Sequence, residues 1–297
     1  MFEKWLDRTI LFSFDRSGFL RHQRSFQPER LSGSGKHALI SGAAKGIGLA
    51  TAQILTEYGV HLDALVRKMP EEAFPYSAYK LDLGDIQSVY AFSQQKQTSY
   101  DILIHNAGSM PNLKQESISG YEEIFASQVI GPYVLTRGLI ESGQLQKNAR
   151  VIFVSSGGMY LKPLDLTDVN YLHKKYHKYE AYANAKRAQV ILTRLFNEEY
   201  QGQYSFHAMH PGWVNTAGVI DSMPWFYRLM RHRLRTVRQG ADTIVWLALT
   251  EEKLPSGGFW FDRQIAPETL LAYTKPSLET EQKLWDYLDN IYRGLHV

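Results

Sequence analysis

A short apolar strand, His37-Ala38-Leu39-Ile40, runs directly into the turn Ser41-Gly42-Ala43-Ala44-Lys45-Gly46-Ile47-Gly48 and then into a helical pattern over residues 47–58. This junction constrains the chain more than any bulk property does. Glycines let a backbone reverse sharply and come close to a ligand. The unpaired N–H groups that open the helix favour an anion such as a pyrophosphate. The alternation continues downstream: strands are expected at Val60–Val66, Ser77–Leu81, Asp101–His105, Arg150–Val154 and Tyr204–Met209, with helical stretches at 84–97, 121–142 and 180–200. Such spacing implies right-handed crossovers and a parallel sheet covered on both faces. The expected class is α/β, a doubly wound parallel sheet in three layers, forming one domain over residues 36–297. Ligands of such sheets bind beyond the carboxyl ends of the strands.

Residues 1–35 read as an N-terminal helical extension. Phe2, Trp5, Leu6, Ile10, Phe12 and Phe14 spread apolar surface among charges, as an amphipathic helix would. Leu31-Ser32-Gly33-Ser34-Gly35 reads as a linker. Gly33–Lys36 spells Gly-Ser-Gly-Lys, but Arg30 stands where a P-loop needs glycine, and His37 where it needs Ser or Thr. Further along come a helical pattern at 237–250, a final strand at Gly258–Phe261 and a closing helix at 278–292.

Composition narrows the function classes. Apolar residues make up 44% of the 297, enough for a substantial core, and no cysteine is present. That excludes disulfides, thiolate metal sites and cysteine nucleophiles. Net charge is +3 but uneven: residues 1–36 hold seven Lys/Arg against four Asp/Glu, and 228–238 hold five Arg and no acid. A solvated face is the plainer reading of both segments. Nucleic-acid binding needs more than a short Arg cluster, so none is expected. No stretch reaches the roughly 18 apolar residues of a spanning helix, and Asp7, Arg8, Asp15 and Arg16 break any signal-peptide run. A cytoplasmic location is expected, with peripheral membrane contact through residues 2–14 and the Arg patches as the variant. His173 and His177 share a helix-like i, i+4 spacing but lack a third ligand, so no metal site is expected.

The second expected strand ends Leu65-Val66-Arg67-Lys68. An acid at such a strand end binds the adenosine ribose 2′-hydroxyl, whereas a cation meets a 2′-phosphate. Asp63 lies mid-strand, too early to reach over the end. Arg67, Lys68 and Lys45 therefore favour NADP(H), with solvated charges as the alternative. Hydride chemistry at a carbonyl also needs a proton donor and a charge that tunes it. Free tyrosine ionises near pH ~10, and an ammonium nearby lowers that value. Tyr and Lys at i and i+4 lie on one helix face. With 18 Tyr and 16 Lys, about one such pair is expected by chance, and three occur. Tyr76/Lys80 runs into a strand, Tyr171/Lys175 lies in a polar run, and Tyr182/Lys186 sits inside the long helix after the fifth strand.

Taken in order, these signatures resemble the short-chain dehydrogenase/reductase family over about residues 37–262. The resemblance implies a Rossmann-like fold. It implies cofactor contacts from Ser41, which keeps the hydroxyl of the family's usual Thr, and from Gly42, Lys45, Gly46, Ile47 and Gly48. Asp82-Leu83 resembles the family's adenine-contacting Asp and its neighbour. His105-Asn106-Ala107-Gly108 resembles its Asn-Asn-Ala-Gly signature, so Asn106, Ala107 and Gly108 would shape the loop beneath the cofactor. The family's Tyr and Lys fall on Tyr182 and Lys186, acting on substrate and cofactor alike. The serine that orients the substrate oxygen falls on Ser156, with Ser155 as the alternative. His210-Pro211-Gly212-Trp213-Val214-Asn215-Thr216 resembles its Pro-Gly motif, with Pro211, Gly212, Val214 and Thr216 on the cofactor and His210 packed or capping.

The implied activity is NADP(H)-dependent hydride transfer between the nicotinamide and a carbonyl or secondary alcohol. Trp213, Met223, Trp225, Phe226 and Tyr227 are expected either to line an apolar pocket for a lipophilic substrate or simply to pack, and they fall at a region (215–236) where the family carries a mobile lid. Residues 160–178 lengthen the usual separation of Ser156 and Tyr182, and are expected beside the substrate. Many family members pair through their long helices, so a homo-oligomer is implied. The clearest departure is Gln128, the fourth catalytic position, where the family has Asn. Glutamine keeps an amide, and part of that role belongs to a backbone carbonyl that holds a water near the lysine. The alternative reading is a catalytically weak or inactive dinucleotide-binding sensor or scaffold.

Overall fold

A computed structural model describes residues 10–27, 30–69, 74–95 and 98–296. Eight strands form one sheet: β1 His37–Ser41, β2 His61–Val66, β3 Ser77–Lys80, β4 Tyr100–His105, β5 Leu145–Val154, β6 Ser205–His210, β7 Gly258–Phe261 and β8 Gln264–Ile265. Their order is β3-β2-β1-β4-β5-β6-β7-β8. All pairings are parallel except β7 with β8. The helices used below are α1 Arg16–Gln23, α2 Gly46–Glu57, α3 Ile86–Gln94, α4 Gly131–Glu141, α5 Lys178–Glu199, α6 Ala217–Ser222, α7 Pro224–Met230, α8 Val237–Leu249 and α9 Leu278–Arg293.

The sheet buries both faces, as parallel sheets do. Along β4, Leu103 joins one core with side chains of α3, α4, α5 and α9, while Ile102 and Ile104 join a second core with α2 and α8. Along β5, Val151 and Phe153 face the first core, Ile152 and Val154 the second. Side chains alternate with a period of two, so the near-continuous apolar strands serve both layers. This is the three-layer doubly wound arrangement expected from the sequence.

Two stretches differ from the sequence reading. Residues 121–142 do not form one helix: a short turn Glu123–Phe125 leads into a π-helical turn, Ala126–Ile130, and then α4. One extra residue in the turn shifts the hydrogen-bond register without disturbing apolar spacing, so periodicity does not reveal it. Leu31–Gly35 is not a free linker either. Leu31 pairs with Thr250, and a Cβ on the buried Gly33 would lie 2.5 Å from Val60 Cγ2.

The N-terminal segment is built into the body. Residues 1–9, which carry half of the expected amphipathic stretch, lie outside the described residues. After a short helical turn, Ile10–Ser13, comes α1, capped by Asp15, whose carboxylate accepts the Gly18 N–H. Phe14 packs edge-on against His210 at 4.3 Å and against Phe261 at 5.0 Å between ring centroids. Its carbonyl accepts the Trp213 N–H at 2.8 Å. Beneath it lies Arg235, fully buried, which donates to both carboxylate oxygens of Asp262 at 2.5 and 2.8 Å and to the Ser13 carbonyl at 2.9 Å. Asp262 also pairs with His22 of α1, and buried Asp15 pairs with Arg233. The basic cluster 228–238 is thus not a uniform surface patch. Arg233, Arg235 and Arg238 hold carboxylates, while Arg228 and Arg231 stay exposed.

A buried guanidinium deprived of its carboxylate is costly, whereas an exposed pair contributes little. Replacing Asp262 with Ala is therefore expected to lower the unfolding free energy by about 3–5 kcal/mol. Arg238→Ala, which breaks the exposed pair with Glu57, should cost about 0–1 kcal/mol. Urea denaturation of both variants checks the contrast.

Candidate active site

The chain order β1-β2-β3 runs outward from the middle of the sheet and then returns to β4 beside β1. That reversal opens a crevice at the carboxyl ends of β1 and β4, and hydrogen bonds hold its two sides. The Ser41 hydroxyl accepts the N–H groups of Asn106 and Ala107, each at 3.1 Å. The Asn106 amide donates to the carbonyls of Ser41 and Gly42 at 3.0 and 3.1 Å. Gly42 has φ +72°, and a Cβ there would stand 2.8 Å from Ala107 Cα. A Cβ on Gly48 would stand 2.2 Å from the Gly42 carbonyl. The turn closes because neither residue has a side chain, which leaves its backbone free to approach a ligand.

The neighbouring strand ends supply the flank. Arg67 projects from the end of β2, 66% exposed, and reaches Glu123 at 3.5 Å; Lys68 and Lys45 are also exposed. Asp63 is buried and accepts the Tyr100 hydroxyl at 2.8 Å, so it does not reach the crevice. The Asp82 carboxylate accepts the Gly84 N–H at 2.9 Å and braces the turn after β3. Leu83 is buried, its carbonyl 2.2 Å from where a Cβ on Gly131 would lie.

After β5, the two serines separate. Ser155 donates its hydroxyl to the main-chain carbonyl of Lys186 at 2.8 Å. Ser156 accepts the Gly158 N–H at 3.2 Å, and its hydroxyl favours the ionised form of the neighbouring Tyr182 phenol. Tyr182, Lys186 and Ser156 all border one cavity of about 870 Å³. Ile47, Asn106 and Gly108 form its cofactor-loop side, and Pro211, Gly212, Val214 and Thr216 the side after β6. Its outer wall is largely apolar, with Met110, Leu164, Trp213, Val219, Met223 and Phe226. Thr216 caps α6 through its hydroxyl and lies 3.5 Å from where a Cβ on Gly46 would stand. Gln128 does not reach the cavity. It is buried in the π-turn, with its side-chain amide donating to the Ser109 carbonyl at 2.7 Å.

The electrostatics of the pair differ from simple cation tuning. Burial pushes the Tyr182 phenol up, and the Ser156 hydroxyl works the other way. Burial also brings Lys186 down to about 7, so it is a weak source of positive charge at neutral pH. Its Nζ lies 5.4 Å from the phenol ring centroid. His210 is likewise held neutral by burial, at about 3. Its Nδ1 accepts the Gly157 N–H at 3.0 Å and its ring stacks on Phe261, so it caps and packs, as expected.

Several residues were not singled out by sequence reasoning. Asn184, between Tyr182 and Lys186, accepts the Asp165 N–H and donates to the Asp165 carbonyl, both at 2.8 Å. Arg187, buried, donates to the carbonyls of Met159 and Glu268 at 2.7 and 2.6 Å. Together they fasten the 160–178 insertion beside the cavity, where Leu161, Pro163 and Asp165 border it. Gln189, also buried, donates to the Gln128 main-chain carbonyl at 2.8 Å. The signal was available in principle: Asn184, Arg187 and Gln189 are polar residues on a helix whose other buried positions are mainly Ala, Val, Ile and Leu.

The fold and this crevice define a dinucleotide-binding oxidoreductase architecture. The short chain dehydrogenase family profile matches residues 36–225, and the chain belongs to that family. Over 95% of its length it is 35% identical to Dehydrogenase/reductase SDR family member 12 of Bos taurus, covering 95% of that protein. It is 30% identical to the Polyprenol dehydrogenase of Homo sapiens, over 91% of this chain and 87% of that one. A solved structure from Mycobacterium Paratuberculosis superposes with a TM-score of 0.71 at 22% identity, over 89% of this chain and 95% of that one. The protein is accordingly an oxidoreductase of the kind that acts on CH–OH or C=O groups with a nicotinamide dinucleotide.

Lys186 leaves a mark on stability. Its folded value of about 7 lies below its ordinary 10.5. Between those values the unfolded chain holds a proton that the folded chain does not, so stability rises as pH climbs through the window. In Lys186→Met that contribution to the rise is absent. Urea midpoints measured near pH ~7 and ~9 for both proteins check this.

Proposed function

We propose that the protein transfers hydride between NADP(H) and a carbonyl or secondary alcohol of lipophilic character. The observation that carries this reading is the meeting of Tyr182, Lys186 and Ser156 at one cavity, which the loop after β6 also lines. When bound, the nicotinamide supplies or accepts the hydride, held by the turn Ser41 to Gly48, by Asn106, Ala107 and Gly108, and by Pro211, Gly212, Val214 and Thr216. Ser156 orients the substrate oxygen. Tyr182, protonated at neutral pH like any phenol and pushed further up by burial, gives its proton to that oxygen during reduction. Lys186 holds the ribose side of the cofactor and replenishes the phenol. Asp82 and Leu83 stand on the adenine side.

Preference for the 2′-phosphate rests on Arg67, Lys68 and Lys45, all exposed around the crevice, together with the sequestration of Asp63 by Tyr100. The lipophilic character rests on Met110, Leu164, Trp213, Met223 and Phe226. Segment 215–236, with α6 and α7, serves as a lid. Its inner edge is tied down by Lys178, which donates to the Ser222 carbonyl at 2.5 Å, and by the Ser222 hydroxyl on the Met110 carbonyl at 2.9 Å.

Tyr182→Phe is expected to remove turnover on a carbonyl panel while NADPH binding stays intact. Arg67→Ala should weaken NADPH about tenfold, the loss of one charge-assisted phosphate contact, and leave NADH unchanged. Fluorescence titration and NADPH oxidation measure both. Full turnover in Tyr182→Phe refutes the catalytic assignment. NADPH binding by the wild type without turnover on any carbonyl or alcohol favours the sensor reading.

One observation supports a peripheral membrane contact as a second reading. The outer face of α7 exposes Trp225 (75%) and Leu229 (65%) beside Arg228 and Arg231, a combination that suits an anionic lipid surface. A Trp225→Ser/Leu229→Ser double variant is expected to lose co-sedimentation with phosphatidylserine vesicles that the wild type retains. Equal behaviour of the two removes this reading.

A further inference from the structure

The lysine of the proposed site is held by a residue that the reading above does not use. Lys186 Nζ donates to the Val154 carbonyl at 2.9 Å and to the Gln189 Oε1 at 3.2 Å. Gln189 sits three residues further along the same helix, so its amide reaches back over the lysine. At its other end, Gln189 Nε2 donates to the Gln128 main-chain carbonyl in the π-turn at 2.8 Å. The amide has one sensible orientation. Reversed, its N–H groups would face an amine that is already donating, and its oxygen would face a carbonyl.

The hydrogen-bond count has a consequence. A neutral amine has two N–H groups and one lone pair, and an ammonium has three N–H groups. Val154 and Gln189 take two of them. What remains, lone pair or third proton, is the one site not taken, on a residue that borders the cavity. The carbonyl of Gln128 is meanwhile occupied by Gln189. Behind Gly108, the Gln128 Oε1 is buried without a partner. It and Lys186 Nζ lie 3.3 and 3.5 Å from where a Cβ on Gly108 would stand, so the loop packs closely against the lysine.

We propose that Gln189 is a positioning residue, an amide clamp between β5, the π-turn and Lys186 that leaves the lysine a single site for proton exchange. The inference rests on the oxidoreductase reading for its purpose, but not for its geometry. Lys186 meets Tyr182 as its titratable neighbour, and Val154, Gln189 and Gly108 present neutral atoms to it.

The test uses the full-length chain and two substitutions of opposite sign. Lysine side chains labelled with nitrogen-15 are titrated by NMR without cofactor, with Lys186→Met to assign the signal. In Gln189→Leu the ammonium loses an acceptor and its midpoint should fall. In Gln189→Glu a carboxylate of the same shape should raise it. With NADPH and a carbonyl, Gln189→Leu should lower kcat about tenfold or more, as expected for an orphaned buried group beside the chemistry. KM should hold, and the pH profiles should move in the same order as the titrations. Melting curves separate unfolding from these effects, and Gln189→Glu keeps the test open if the leucine variant does not fold. Titrations that match the wild type in both variants, or that shift in the same direction, overturn the clamp. A wild type that titrates as described but turns over no substrate overturns the oxidoreductase reading and leaves the clamp standing.

Discussion

At the centre of the sheet, β1 and β4 lie side by side although the chain visits β2 and β3 between them. Their loops must leave in opposite directions, and the gap between them is where a ligand can enter. Nothing about parallel pairing alone keeps such a gap at a fixed width. Here the Ser41 hydroxyl and the Asn106 amide do so, with four hydrogen bonds that join the first turn to the loop after β4. The turn can lie that close because Gly42 and Gly48 carry no Cβ. Ile47 and Asn106 then stand on one rim, and Gly108 can press against Lys186. The seam therefore sets where α5, which carries Tyr182 and Lys186, can approach.

A second constraint is the burial of cations around that seam. Arg235, Arg187 and Lys186 are all buried, yet they are treated differently. Arg235 faces a carboxylate and main-chain carbonyls, and so ties α1, the loop after β6 and the β7–β8 turn together. Gly212, with φ +77°, is required there, since a Cβ would fall 2.3 Å from Arg235 Nε. Arg187 is pinned by the carbonyls of Met159, after β5, and Glu268, after β8. A guanidinium with several fixed donors suits such brackets. Lys186 has a carbonyl and an amide as partners and no carboxylate, so burial takes its proton near neutrality. The charge that supports the scaffold and the charge that can change are thus assigned to different side chains.

The sequence carried the strand–helix alternation and the order of motifs, because both depend on local patterns: period-two burial, glycine at a forced turn, and polar signatures just past strand ends. It also separated Tyr182/Lys186 from two chance pairs by their place in that order. What it did not carry depends on contacts distant along the chain. Asp15 and Arg233 are 218 positions apart, and Arg235 reads as one of five clustered arginines until its partner, Asp262, is known. The same is true of residues 31–35, whose Gly-Ser composition suggests a tether but whose backbone is packed against Val60 and Thr250. The π-turn was hidden because an inserted residue leaves a run such as Phe125-Ala126-Ser127-Gln128-Val129-Ile130 as apolar as before.

Gln128 shows how a departure from a family pattern can be absorbed. Its side chain is one methylene longer than asparagine, and its amide lands on the Ser109 carbonyl, bracing the loop after β4 rather than facing the lysine. The main-chain carbonyl of the same residue is then free to be taken, and Gln189 takes it. Burying a lysine without a carboxylate beside it destabilises the fold, and Lys186 stands so buried at the wall of a largely apolar cavity, near a phenol and a serine hydroxyl. The two glutamines are thus joined: the helix that carries the lysine supplies a partner that takes one lone pair of the π-turn carbonyl.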